Sequence, residues 1–256
     1  SDCRADVGGQ PVAAATLLLG VKEVDVEIDP TALVAPSAEI GAGSVIGSHA
    51  IIGGNVKLGR RCHIGASAVV EGITEIGDDT KVFPCASIEL IPQDLKFHGE
   101  ESRLVIGQRN IFREFVTIHR GTQGGGGITR IGNDNLFMAY AHIAHDCTVG
   151  DHTIFGNGAT LGGHVSVEDY ATISALSGFH QFCRVGVHAV VGGCSVVTRD
   201  ALPYARTVGN RARVYGVNTI GLVRRGFSPG VITQLKRVYL SLIHISEPTR
   251  PRLISY

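Results

Sequence analysis

From Ile131 to Val197 the chain reads, in blocks of six, IGNDNL FMAYAH IAHDCT VGDHTI FGNGAT LGGHVS VEDYAT ISALSG FHQFCR VGVHAV VGGCSV V, and every block opens on an aliphatic residue or Phe. The same register runs earlier through Val34, Ile40, Ile46, Ile52, Leu58, Ile64, Val70, Ile76, Val82 and Ile88, and again through Ile106, Phe112 and Ile118. Two positions before these residues a small side chain recurs, as at Ala32, Ala38, Ser44, Ala50, Ala141, Ala159 and Ser177. A period of six is neither that of a helix nor the alternation of an amphipathic strand. It is the repeat of a parallel β-helix, whose short strands wind into a prism and bury each aliphatic row on the next coil. Three blocks close one triangular coil. Residues eighteen apart therefore stack about one strand spacing, ~4.8 Å, above one another.

Composition narrows the function classes. The chain has 256 residues, and its 23 Lys plus Arg balance 23 Asp plus Glu, so charge argues for neither a nucleic acid nor a membrane surface as partner. Its 34 Gly and absent Trp suit tight corners around a narrow interior. Apolar runs are too short to span a bilayer, which predicts no stable membrane insertion. The first residues carry Asp2, Arg4 and Asp6 ahead of a short Leu17-Leu18-Leu19 run, which does not make a secretory signal. Of six cysteines, Cys62, Cys147 and Cys183 fall at the small inward position, and no C-x-x-C pair occurs. Reduced, buried thiols in a cytoplasmic protein are expected.

Four segments follow from the pattern. Residues 1–27 precede the repeat, and their Gly8–Leu19 stretch resembles the last strand of a hydroxyacyl-carrier-protein dehydratase, so they read as a non-native extension. Residues 28–205 form the β-helix. Ser228-Pro229 reads as a helix cap and first-turn proline, and 206–239 as the start of a C-terminal helical domain. Residues 240–256 resemble a translated sequencing adapter and are set aside from fold reasoning. Within the repeat, Asp94 and Glu100 stand where aliphatics belong, marking an excursion. Between Ile118 and Ile131 the spacing is thirteen, one residue out of phase, across a glycine-rich stretch. Loops on repeat scaffolds often carry function, although a tolerated surface insertion competes for the glycine stretch.

Histidine is unevenly placed. His142 and His145 flank Ile143, His164 follows Leu161 and His180 follows Phe179, while Ile143, Leu161 and Phe179 are eighteen apart. With Asp146, these four imidazoles share a patch about two strand spacings tall. Solvated corner positions, a zinc site and general-base catalysis, worth roughly 10²–10⁴ in rate, all remain open on spacing alone. Arg224-Arg225 offers planar donor forks suited to phosphate.

The strings Gln93-Asp94-Leu95-Lys96, Thr117-Ile118-His119-Arg120-Gly121-Thr122, Ala141-His142-Ile143-Ala144-His145-Asp146-Cys147, Gly163-His164-Val165, His180-Gln181-Phe182-Cys183, Val191-Gly192-Gly193-Cys194 and Arg224-Arg225-Gly226-Phe227-Ser228 closely resemble one family. It is the acyl-carrier-protein–UDP-N-acetylglucosamine O-acyltransferases that begin lipid A synthesis, and the likeness covers roughly residues 28–240. The resemblance implies an all-β, left-handed parallel β-helix with a truncated C-terminal α-helical extension, assembled as a homotrimer with active sites between subunits. It implies that His145 is the general base toward the sugar 3-hydroxyl, that Asp146 orients it and that the Gly163 N–H is the oxyanion donor. Asp94, Lys96, His142, His164, His180 and Gln181 would contact sugar and acyl chain. Asn218, Arg224 and Arg225 would hold the nucleotide, and Gly193 would set acyl length, its small size predicting a longer chain. The implied partners are hydroxyacyl carrier protein and UDP-N-acetylglucosamine, with no metal and no bound cofactor. Ile220 and Arg211 depart from an acidic residue and a histidine found in some relatives.

Three rivals stand beside this reading. The N-acyltransferase of the same pathway is disfavoured by Asp146, where Asn is typical, and by the Arg224–Ser228 string. A 3-amino sugar acceptor stays open. A zinc enzyme or a non-catalytic scaffold would need the histidines to bind metal or to do no chemistry.

Overall fold

A computed structural model describes residues 25–246 of the protein, so most of the expected extension 1–27 and residues 247–256 of the adapter-like tail lie outside the described residues. Strands of mostly two residues wind into three parallel sheets of eleven, nine and eight strands, here called A, B and C in the order the chain visits them. This is the expected left-handed parallel β-helix. Ile143 pairs with Leu161 and Leu161 with Phe179, so the eighteen-residue stacking holds where the histidines cluster. The aliphatic rows from Ile46 to Val197 are buried, as are the small inward residues Ala50, Ala68, Ala141 and Cys147. Phe112, Phe137 and Phe155 stack inside the prism with ring centroids 4.9 and 4.7 Å apart. The five described cysteines are free thiols.

The corners explain why side chains at the prism edges stand in vertical rows. The third residue after the aliphatic position adopts a left-handed backbone: Asp146, His164 and Phe182 have φ of 59°, 61° and 67° on the B–C corner. His152, Tyr170 and His188 do the same on the C–A corner, with φ of 57°, 61° and 55°. That conformation costs a non-glycine residue roughly 1–2 kcal/mol. Hydrogen bonds to the coil below offset it: His164 N donates to His145 O at 3.0 Å, and Phe182 N to Gly163 O at 3.1 Å.

Both breaks in the repeat leave the prism at the B–C corner. The first separates the strand Ser87–Leu90 of sheet B from Arg103–Ile106 of sheet C; the second separates Thr117–His119 from Ile128–Ile131. After each, sheet C resumes in register, Arg103–Ile106 on Ile73–Ile76 and Ile128–Ile131 on Arg103–Ile106. The insertions therefore change what stands on the corner and leave the core alone.

At the far end the segment before the helices is itself a hairpin: Ala205–Val208 joins sheet A and Arg213–Val217 pairs antiparallel with it. A parallel sheet edge left open would expose unpaired backbone groups, and the hairpin extends pairing beyond the last coil. The helices follow as α1 (Thr219–Arg224) and α2 (Pro229–Ser246). The Ser228 hydroxyl accepts from Val231 N at 3.4 Å, the cap expected there. Tyr239 Oη donates to Val214 O at 3.3 Å and ties α2 to the hairpin. Helix α2 runs through residues 240–246, the described part of the adapter-like tail. Among the described residues no helix is long and apolar enough to cross a membrane.

Candidate active site

The B–C corner gathers His145, Asp146 and His164 on two successive coils. His145 Nδ1 lies 2.7 Å from Asp146 Oδ2, and the two rings of His145 and His164 meet edge to face with centroids 5.2 Å apart. Asp146 is almost fully buried, its side chain 1 % exposed, which requires hydrogen-bond partners for its carboxylate. Thr122 supplies two, donating from its backbone N to Oδ1 and from Oγ1 to Oδ2, both at 2.7 Å. Thr129 Oγ1 accepts the Asp146 backbone N–H at 2.8 Å. The glycine-rich loop lies directly over the carboxylate: a Cβ on Gly125 would collide with it. This excursion is thus a lid on Asp146, not a bland surface insertion.

These contacts fix the imidazole's tautomer by donor counting. A carboxylate only accepts, so the proton between Asp146 and His145 sits on Nδ1, leaving the Nε2 lone pair free. Nε2 points toward Gly163, eighteen residues on, where a Cβ would come within 2.7 Å of it. Only glycine leaves that space open. Among the described residues the Gly163 N–H meets no acceptor. The His164 ring is held on its other side by Phe182, stacked at 4.4 Å.

A second histidine pair stands on sheet B. His142 Nδ1 lies 2.8 Å from Thr117 Oγ1, and its ring meets that of His119 edge to face at 4.8 Å. Burial pushes His119 down to about 4, with His142 and His145 adding to the effect. Burial first, then His145, also lowers His142. Both rings are neutral at pH 7. The other excursion reaches this pair through Gln93, whose backbone N donates to His119 Nδ1 at 3.4 Å. On that excursion the Asp94 carboxylate accepts from Lys96 N at 3.0 Å, and Lys96 is exposed.

Not every expected residue joins this corner. His180 and Gln181 lie on the next coil and are exposed, but the His180 ring turns its Nδ1 toward Gln181 O at 3.1 Å instead of meeting the other imidazoles. Of the four rings expected to share a patch, His145 and His164 contact each other, His142 pairs with His119 instead, and His180 stands apart. Gly193 lies on the A–B corner. Asn218 caps α1, accepting from Gly221 N at 3.2 Å, and donates to His188 O at 3.0 Å. Arg225 spreads over the Tyr170 ring, 4.7 Å from its centroid, on the C–A corner, with the exposed Arg224 beside it in the chain.

His145, Asp146 and His164 could also present ligand atoms to a metal, all within 4.8 Å of one another. Both Asp146 oxygens, however, already accept from Thr122. That donor set matches a held imidazole better than a vacant ligand. Spacing missed Thr122, Gly125, Thr129 and His119. Two signals bore on them: the phase slip before Ile131, and the family-like string Thr117–Thr122, which holds His119 and Thr122.

Comparisons with known proteins agree with this architecture. A bacterial transferase hexapeptide model matches residues 37–72 and 128–163. A model described as UDP-N-acetylglucosamine O-acyltransferase, domain 2, matches residues 200–253. A solved UDP-N-acetylglucosamine acyltransferase is 39% identical, covering 88% of this chain and 85% of its own, with a TM-score of 0.82. The UDP-N-acetylglucosamine acyltransferase of Bacteroides fragilis is 38% identical over 87% of this chain and 92% of its own, TM-score 0.81. That of Campylobacter jejuni is 37% identical over 85% of each chain, TM-score 0.82.

Proposed function

The chain belongs to the UDP-N-acetylglucosamine acyltransferase family, an O-acyltransferase of lipid A biosynthesis, and from that premise we propose a specific reaction. It moves an (R)-3-hydroxyacyl chain from acyl carrier protein to the 3-hydroxyl of UDP-N-acetylglucosamine, with His145 as general base. The observation that carries this reading is the Thr122–Asp146–His145 arrangement, which puts the lone pair of the neutral imidazole on Nε2, beside the open space at Gly163.

The steps follow from that geometry. The sugar 3-hydroxyl attacks the thioester carbonyl while Nε2 takes its proton, and the resulting imidazolium is stabilised by Asp146. The Gly163 N–H donates to the oxyanion of the tetrahedral intermediate. On collapse the C–S bond breaks, and the leaving thiolate takes the proton back from Nε2 to give the carrier-protein thiol. Atoms and charge balance without a metal or redox partner.

The distribution of the remaining residues supports a trimer. His145, Asp146, Gly163 and His164 stand on the B–C corner, whereas Gly193 and Arg225 stand on the other two. These residues can enclose one substrate only if corners of neighbouring protomers face one another, as in a closed three-fold assembly. Asn218, Arg224 and Arg225 of one subunit would then hold the nucleotide, and Asp94, Lys96, His142, His180 and Gln181 the sugar and acyl chain. Gly193 leaves room for a long acyl chain, and a competition assay won by short donors would overturn that assignment. A cytoplasmic location fits a reaction that draws on carrier protein and a nucleotide sugar.

The deciding experiment incubates the protein with UDP-N-acetylglucosamine and hydroxyacyl carrier protein. Ester product is expected from wild type and not from His145→Ala. Unchanged turnover in that variant, or activity that tracks stoichiometric zinc, would reject the general-base reading.

A further inference from the structure

Glu89 is a carboxyl group that the proposed chemistry does not use. It sits at a bulge of sheet B with φ of 63°, where pairing slips between Ile88 and Leu90, and its residue surface is 3 % exposed. Its carboxyl occupies space that a side chain at Gly72 would fill. Thr74 Oγ1 lies 2.6 Å from Glu89 Oε2 and 2.7 Å from Glu71 O. One hydroxyl proton cannot serve both acceptors. The conflict disappears if Glu89 is a neutral acid: its O–H donates to Thr74 Oγ1, which donates in turn to Glu71 O. Burial pushes the Glu89 carboxyl up to about 7, in the same direction.

Two polar atoms are then left over. Glu89 Oε1 and Arg120 Nε are both buried and have no hydrogen-bond partner among the described residues. The residues Glu89 and Arg120 line a single cavity of about 450 Å³ together with Gln93, Ile91 and His119. Buried polar groups left unpaired are costly, so a pocket whose walls hold two of them is matched to a ligand that satisfies both. One is an acceptor and the other a donor; adjacent hydroxyls supply the complement. The pocket shares His119 and Gln93 with the excursion that carries Asp94 and Lys96, and His119 contacts His142. It is continuous with the expected sugar-contacting residues.

We propose that the Glu89–Arg120 pocket is a specificity element for the acceptor, taking hydroxyls of the pyranose ring remote from the one acylated. This inference rests on the transferase reading for the identity of the sugar. A hydroxyl there donates to Glu89 Oε1 while a hydroxyl oxygen accepts from Arg120 Nε. Neither residue touches the reacting atoms, so the effect falls on acceptor binding.

The test compares Glu89→Gly, which keeps the left-handed backbone, with Glu89→Gln, which keeps a neutral donor and acceptor. Acceptor KM is measured for UDP-N-acetylglucosamine and for analogues lacking the 4- or the 6-hydroxyl. Glu89→Gly is expected to raise KM about tenfold, the equivalent of one hydrogen bond of about 1.4 kcal/mol. One deoxy analogue should lose as much on wild type and nothing further on Glu89→Gly, while Glu89→Gln stays near wild type. An unchanged KM in Glu89→Gly, or a loss that adds to that of both analogues, overturns the proposal. Failure of the transferase reading looks different, because wild type itself would then not turn over. In that event ligand-observed NMR with N-acetylglucosamine decides: binding by wild type that Glu89→Gly lacks sustains the pocket, and equal or absent binding in both rejects it.

Discussion

The B–C and C–A corners are built from the same repeat, yet only one has the makings of a catalyst. Both carry histidine and aromatic side chains on left-handed residues eighteen apart. On the C–A corner they form a ladder of parallel rings: His152 on Tyr170 at 4.8 Å, Tyr170 on His188 at 4.8 Å and His188 on Tyr204 at 5.5 Å. His188 is lowered, chiefly by burial and then by Arg225, and its Nδ1 has no partner among the described residues. On the B–C corner Phe182 stacks on His164, but His164 and His145 meet edge to face beside a buried carboxylate. The difference comes from the insertions. Both leave the prism at the B–C corner, and one of them brings Thr122 and Gly125 onto Asp146. Stacking alone makes a ladder of rings; a loop that supplies donors to a carboxylate makes a base.

That contrast can be broken in several ways. The largest effect should come from His145→Ala, lowering kcat roughly 10²–10⁴-fold, whereas His152→Ala on the ladder should leave kcat within about twofold, as surface rings outside a reacting centre do. Equal losses at the two corners would erase the distinction. Asp146→Asn should lower kcat by up to about 10⁴-fold by favouring the wrong tautomer, as in other held imidazoles, with a circular dichroism spectrum like wild type. Thr122→Val removes one hydrogen bond to a charged group, worth about 1.5–3 kcal/mol, and steady-state assays should show a loss of about tenfold in kcat. A Thr122→Val enzyme at full activity would mean the loop merely covers the corner.

A smaller effect concerns stability against pH. The folded-state value of His119 lies below its ordinary 6.5, at about 4. The unfolded chain therefore binds the proton first, so this stabilising contribution is present above pH 6.5 and is lost as pH falls toward 4. Urea midpoints measured across that window should decline in wild type and flatten in His119→Gln. An identical slope in both would assign acid sensitivity elsewhere.

The hexad register from Val34 to Val197 was legible because burial of one aliphatic per block leaves a periodic trace. So were the rows it creates: His145 and Gly163 are eighteen apart, and His164 lies eighteen beyond Asp146. The contacts of Thr122 and Gly125 with Asp146 were not legible. They come from a loop whose residues follow no period, and whose path depends on where the coil is interrupted. The register sets Thr117 opposite His142, so the contact of His119 with His142 was not legible, and its bond from Gln93 required the other loop to fold back. The hairpin at 205–217 was missed for a related reason: its antiparallel partner is an edge that exists only once the coils have stacked.

By itself the sequence determined the prism and the vertical alignment of its edges, because a repeating burial pattern admits one winding. Which aligned side chains became an acid–base pair was decided in three dimensions. Hydrogen-bond donors for Asp146 and the unsatisfied atoms of Glu89 and Arg120 arise where non-repeating segments meet the coil. Such meetings depend on the positions of distant atoms, and those positions leave no periodic mark on the chain.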